Sequence, residues 1–133
     1  MSISLLRAGL AKNLQTIKGL RVVETLPDLV NPPMAMIGLT KVSYNQQNQR
    51  SMAEYTFQVT VVLGRVSERT AQREMDIFVA PGEGSVKYAL ESDRTLDGAA
   101  YEVFVPELSA IGAVSINGID FYSAEFSVQV FAR

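Results

Sequence analysis

The side chains able to do chemistry gather in one short stretch, Glu91-Ser92-Asp93-Arg94-Thr95-Leu96-Asp97. Two close carboxylates can divide acid and base roles when their surroundings differ. Glu91 with Asp93, or Asp93 with Asp97, beside Arg94, would make such a pair. The setting argues against it, because these residues fall in a turn between a short helix and a strand, where a solvated charged loop is the default. Nor do they have the ligand-loop spacing behind an Mg²⁺ site. Ser67 and Ser85 have no histidine to activate them and read as helix caps. The chain contains neither histidine nor cysteine. That removes the commonest general base near neutral pH, the commonest metal ligand, disulfides and thiolate metal sites. No catalytic group, cofactor or metal is expected, and the chain reads as a protein that works by shape and surface rather than as an enzyme.

Other local patterns resolve the same way. Pro81-Gly82-Glu83-Gly84-Ser85 has the outline of a phosphate-cradling loop, but Lys87 falls two residues inside the following helix and Glu83 would repel an anion. A break between two helices explains it. Arg65, Arg69 and Arg73 lie at helical spacing and read as a solvated face or a contact for acidic partners. Tyr55, Phe57, Tyr122 and Phe126 fall on faces expected to be buried, so they read as core rather than as base-stacking platforms.

The elements that position these residues follow from hydrophobic period and breakers. The 133 residues fit one domain, 1–133, with 47% hydrophobic and 20% charged residues, ordinary values for a globular chain. A net charge of −2 does not favour gripping nucleic acid or a membrane surface. No apolar run approaches the roughly 20 residues that span a bilayer, and the start does not read as a signal peptide, so the expected compartment is the cytoplasm or an assembly made there. Ser2 or Ser4 would cap a first helix whose stripe is Ile3, Leu6, Leu10, Leu14 and Ile17, closed by Gly19. Gly9 inside it suggests either close packing or a weak helix held by the core.

Strands are expected over 20–26, 34–44 with a bulge or close approach at Gly38, 54–63, 101–105 interrupted at Pro106, 110–116, and 119–131. Between them, 45–50 is a polar loop. The 54–63 strand puts Tyr55, Phe57, Val59, Val61 and Leu63 on one face and Thr56, Gln58 and Thr60 on the other, as in a sheet covered on one side. Ser67 would cap a second helix with Ala71, Met75, Ile77 and Phe78 inside. Asn117-Gly118 is a hairpin turn, since both residues tolerate positive φ. The fold class is α+β: a mainly antiparallel sheet of four to six strands with two to three helices on one face.

The order of features resembles the tail terminator proteins of long-tailed, siphovirus-type bacteriophages, notably those of actinobacterial phages and prophages. The resemblance rests on Ile17-Lys18-Gly19-Leu20-Arg21-Val22 ending the first helix, Pro32-Pro33-Met34-Ala35-Met36-Ile37, and Tyr44 before a polar loop. It continues through Tyr55-Thr56-Phe57-Gln58-Val59-Thr60-Val61, Ala71-Gln72-Arg73-Glu74-Met75-Asp76, Gly84 to Glu91, Thr95 to Ala100, and Tyr122-Ser123-Ala124-Glu125-Phe126. It spans nearly the whole chain but contains no diagnostic motif, and related neck proteins share the architecture. One departure is Arg50-Ser51-Met52-Ala53, where such proteins often carry a glycine and an acid.

The resemblance implies a homo-oligomeric ring, usually a hexamer, at the tail-neck junction of the virion, assembled in the host cytoplasm. The ring stops polymerisation of the major tail tube protein and presents a docking surface to the head-side connector, while DNA passes through without specific binding. On that reading Tyr44, Gln47, Arg50, Arg65, Arg69 and Arg73 are interface candidates, and Glu91, Asp93 and Asp97 supply lumen-facing or connector-facing charge. The alternatives are another head–tail connector, a tail tube subunit, or a small host ligand-binding module.

Overall fold

A computed structural model describes residues 3–23, 33–44, 53–65, 69–96 and 98–132, with Ser109 given by its backbone alone. The elements in chain order are α1 (Ile3–Leu14), β1 (Arg21–Val23), β2 (Met34–Tyr44), β3 (Ala53–Arg65), α2 (Arg69–Val79), α3 (Val86–Leu90), β4 (Glu102–Ile116) and β5 (Ile119–Ala132). Among the described residues the strands form one five-stranded sheet in the order β1-β2-β3-β5-β4. Of these described neighbours β1 and β2 are parallel and the others antiparallel. The fold is α+β.

Period-2 alternation sets the two faces. Phe57, Val59, Val61 and Leu63 of β3 are fully buried, as are Ala124, Val128 and Val130 of β5. They form one core with Leu6, Leu10 and Leu14 of α1, Met75 and Phe78 of α2, and Val86 and Leu90 of α3. All three helices therefore cover the same sheet face. Tyr55 and Tyr122 are half-buried against that core. Val62 breaks the alternation: it is buried on the other face with Met34 and Phe121, flanked by Val23, Met36, Val114 and Ile116. This second, small apolar cluster is why Val62 tolerates the face that Thr56, Gln58 and Thr60 leave polar.

Several boundaries differ from the sequence expectation. α1 ends at Leu14 rather than reaching Ile17; Thr16 donates its hydroxyl to the Asn13 carbonyl at 2.7 Å and its amide to the same oxygen at 3.2 Å, tightening the last turn. Gly19 takes φ 86° in the connection to β1, the left-handed closure that glycine permits. Ser4 lies within α1 rather than capping it; Ser2 and the Ser67 cap fall outside the described residues. Of the expected 20–26 strand, Arg21–Val23 is observed and 24–26 is outside the description.

The bulge in β2 lies at Thr40, between Leu39 and Lys41, not at Gly38, and the Thr40 hydroxyl donates to the Thr56 carbonyl there. Ile77 points to solvent, 55% exposed, leaving Ala71, Met75 and Phe78 as the inward stripe of α2. The i, i+4, i+7 spacing explains this, because Ile77 falls two positions after Met75 and off the stripe.

The expected break at Pro106 is instead a shift of register. β4 runs unbroken from Glu102 to Ile116, with shifts between Phe104 and Glu107 and between Leu108 and Ala110. Proline is accommodated because β4 is the terminal strand of the described sheet and no described strand needs an amide from its outer edge. Asn117 and Gly118 have φ of 53° and 81°, making the tight turn into β5.

Candidate functional site

The Glu91–Asp97 stretch closes a corner of the fold. Ser85 caps α3, accepting a 3.1 Å hydrogen bond from the Tyr88 amide while wholly buried. One turn on, Glu91 reaches β4: its Oε2 accepts from Lys87 Nζ at 2.6 Å and from the Val105 amide at 2.9 Å. Lys87 Nζ also donates to the Val105 carbonyl at 3.2 Å. Burial alone would push the Glu91 carboxyl up. The hydrogen bonds from Lys87 and Val105, with the charges of Lys87 and Arg94, outweigh it and hold the group below its ordinary value.

Asp93 turns back on its own loop, accepting from the Thr95 amide at 3.2 Å and hydroxyl at 3.0 Å. Arg94 reaches Glu102 at 3.5 Å across open surface, a pair of little energetic weight. Asn13 of α1 ties the same corner from behind: Nδ2 donates to the carbonyls of Leu90 at 2.9 Å and Asp93 at 3.0 Å. Glu91 and Asp93 therefore sit on the helical side of the molecule in structural roles, and Asp97 lies outside the described residues. Among the described residues no three His, Cys, Asp or Glu side chains converge as a metal site.

The remaining sequence candidates are scattered. Tyr44, at the end of β2, is 76% exposed. Gln47 and Arg50 lie outside the described residues. Arg65 ends β3 and so is not part of a helical basic stripe; Arg69 and Arg73 remain, exposed and one turn apart on α2. An open cleft of about 380 Å³ runs along α1, between Leu5, Ala8 and Lys12 and the turn carrying Leu96, Gly98 and Ala99.

Two larger features stand out. The first is the sheet face that no described helix covers. Residues opposite one another in register share a face, so Thr60 lies beside Glu125, Ser127 between Gln58 and Glu107, and Thr56 between Gln129 and Lys41. Glu54 and Glu102 flank Phe131 in the next row. Phe131 stacks on Phe104 with ring centroids 5.8 Å apart. Hydroxyls, amides and four carboxylates (Glu54, Glu102, Glu107, Glu125) dominate, with Lys41 as the only cation of these rows among the described residues.

The second feature is the outer edge of β4. Residues 110–116, Ala-Ile-Gly-Ala-Val-Ser-Ile, carry no charge and no proline. They form the second half of β4, the last of the described strands in the sheet, and Ile111 is 56% exposed. Long uncharged edges recruit further strands, and proteins that keep theirs free ordinarily blunt them with charge, proline or a bulge.

Asn13, the Lys87–Glu91–Val105 contact and the acidic sheet face all escaped the sequence reading. Only the i, i+4 spacing of Lys87 and Glu91 is a signal visible in sequence. The chain matches no protein-family model, and no curated protein matches it.

Proposed function

We propose that this chain is a ring-forming structural subunit of a bacteriophage tail, acting as a tail terminator at the tail-neck junction of the virion. The observation that carries this reading is the uncharged edge at 110–116 of β4, which no described strand pairs, next to a sheet face left bare by every described helix. Along the sheet β2, β3, β5 and β4 alternate in direction, so β4 runs opposite to β2. A neighbouring copy placed head to tail and displaced along the strands would set the Tyr44 half of its β2 against residues 110–116 of β4 as an antiparallel pair. Repetition by a fixed rotation closes such heterologous contacts into a ring. Among the described residues β1 covers β2 only from Met34 to Met36, which leaves the half of β2 toward Tyr44 as the acceptor.

In such a ring the polar rows of that face, from Thr60 and Glu125 to Glu54 and Glu102, line the hole, with the Val62 cluster beyond them. Carboxylates, hydroxyls and amides with little positive charge repel or ignore phosphates, so DNA slides through without being held. This moves the lumen-facing charge to Glu54, Glu102, Glu107 and Glu125. The exposed Arg69 and Arg73 of α2, with Tyr44, remain contacts for the tail tube protein or the head-side connector. Tube growth stops because the far face of the ring lacks the surface that recruits another tube subunit. No cofactor enters this mechanism.

Sedimentation of the purified chain and electron microscopy of phage lysates lacking it test the reading. A single discrete oligomer, and overlong tubes without heads, are expected. Tubes of normal length joined to capsids overturn it. Long filaments of the purified chain would instead identify a tube subunit, which uses the same edges without stopping.

A further inference from the structure

The two halves of the β4 edge are treated differently by the fold. Val105 has no partner in the β4–β5 register. Its amide goes to Glu91 Oε2 and its carbonyl accepts from Lys87 Nζ. In an extended strand the N–H and C=O of one residue point to the same side, so this pair points off the sheet, away from β5. The Glu91 carboxylate stands where a neighbouring strand's carbonyl would be, and the Lys87 ammonium where its amide would be. The two side chains bond each other at 2.6 Å, so together they stand in for one residue of an absent strand. Pro106 follows with no amide to offer, and the bulge between Leu108 and Ala110 ends the irregular half. From Ala110 onward the ladder to β5 is regular and the edge carries no charge.

We propose that Lys87 and Glu91 form a side-chain plug that ends strand addition on β4, confining the incoming strand of a second copy of this chain to residues 110–116. The inference rests on the ring reading for the identity of the incoming strand, and adds what fixes its register and length. A strand that cannot slide past Val105 meets β4 in one register, and one register gives one rotation per subunit and a ring that closes. An unplugged edge permits slipped registers and open-ended chains.

The test compares the full-length wild type with Lys87→Met/Glu91→Met, which removes both mimicking groups and keeps apolar length. Lys87→Met alone is the gentler form if the double variant does not fold. Asn13→Ala is the control, because it loosens α3 from α1 without touching Val105. Sedimentation velocity and hydrogen exchange at Val105 are the readouts. The expected result is faster exchange at Val105, and a shift from discrete species to a broad, concentration-dependent distribution, in the plug variants only.

An unchanged distribution in a folded plug variant overturns the proposal. So does an equal shift in Asn13→Ala, which would make the pair a mere tie for α3. A wild type that stays monomeric sinks the ring but not the plug, which then predicts new association in the plug variants from a monomeric baseline. A discrete wild-type ring with unaltered plug variants sinks the plug alone.

Discussion

Gly9 of α1 packs directly on Leu96: a Cβ built on Gly9 would lie 2.7 Å from the Leu96 Cβ and 3.4 Å from its Cα. Leu96 cannot retreat easily, because it is buried and its backbone is held at φ 49°. Replacing a mid-helix glycine by alanine ordinarily stabilises by about 1 kcal/mol. Here the overlap opposes that gain, at the 1–3 kcal/mol typical of overpacking. Gly9→Ala should therefore destabilise the protein by about 1 kcal/mol in chemical denaturation, and a more stable variant would show that the helix and the turn separate freely.

Asn13 is the buried polar residue that joins α1 to the end of α3, giving both amide hydrogens to carbonyls 77 and 80 residues away. Asn13→Leu would leave those carbonyls short of a donor, at about 1–3 kcal/mol for each one left unsatisfied. Asn13→Asp should be worse, since an ionised carboxylate only accepts and would face two acceptors. The expected order of midpoints in urea is wild type, Leu, then Asp. An aspartate variant as stable as wild type would mean that the two contacts contribute nothing.

The sequence makes the sheet legible and the corner illegible for one physical reason. Alternation through most of 54–63 and 119–131 reports burial, with Val62 and Phe121 as the exceptions on the other face, and Asn117-Gly118 reports its turn through backbone sterics, so β3, β5 and the β4–β5 hairpin can be read in advance. Pro106 reads in sequence as a break because a proline's meaning depends on whether its strand is central or terminal, which is a property of the sheet order. Ile77 is exposed because it falls off the Ala71-Met75-Phe78 stripe, where spacing outweighs its apolar side chain. Asn13 and Glu91 act on residues from another element. Contacts across 77 positions, or between a helix side chain and a strand amide, leave no local period to detect. The acidic sheet face was invisible for the same cause: Glu54, Glu102, Glu107 and Glu125 come together only once the register is known.

Glu91 gives the molecule an acid-sensitive point. Its carboxyl is held below the ordinary value by Lys87 and Val105 in the folded chain and is released to that value on unfolding. A depressed folded pKa contributes stability that is present above the unfolded pKa and is lost as pH falls through the folded one. The stability gap between wild type and Glu91→Gln should therefore be widest at about pH 7 and shrink toward about pH 3. Denaturant midpoints measured across that window check it. A gap that stays constant with pH would assign the loss to packing rather than to charge.

The open strand edge makes the last prediction. Ile111 is 56% exposed on β4, so Ile111→Lys removes little buried area and should change the folding midpoint by no more than about 0.5 kcal/mol, the usual range for surface sites. A lysine on an edge strand is, however, one of the devices by which proteins refuse further pairing. In the ring proposed here Ile111 lies at the β4–β2 junction, and an ammonium there must be desolvated beside apolar neighbours. Ile111→Lys should therefore weaken self-association by about tenfold or more, equivalent to at least 1.4 kcal/mol per contact, with the unfolding of the dissociated subunit unchanged. Ile77→Lys, at an equally exposed site on α2, supplies the comparison, because a general effect of added charge would act through either position. Sedimentation equilibrium of the two variants separates the cases. Loss of oligomer at position 111 alone places the contact on the β4 edge. Equal loss at both positions, or at neither, removes the edge from the interface and with it the register argument built on Val105.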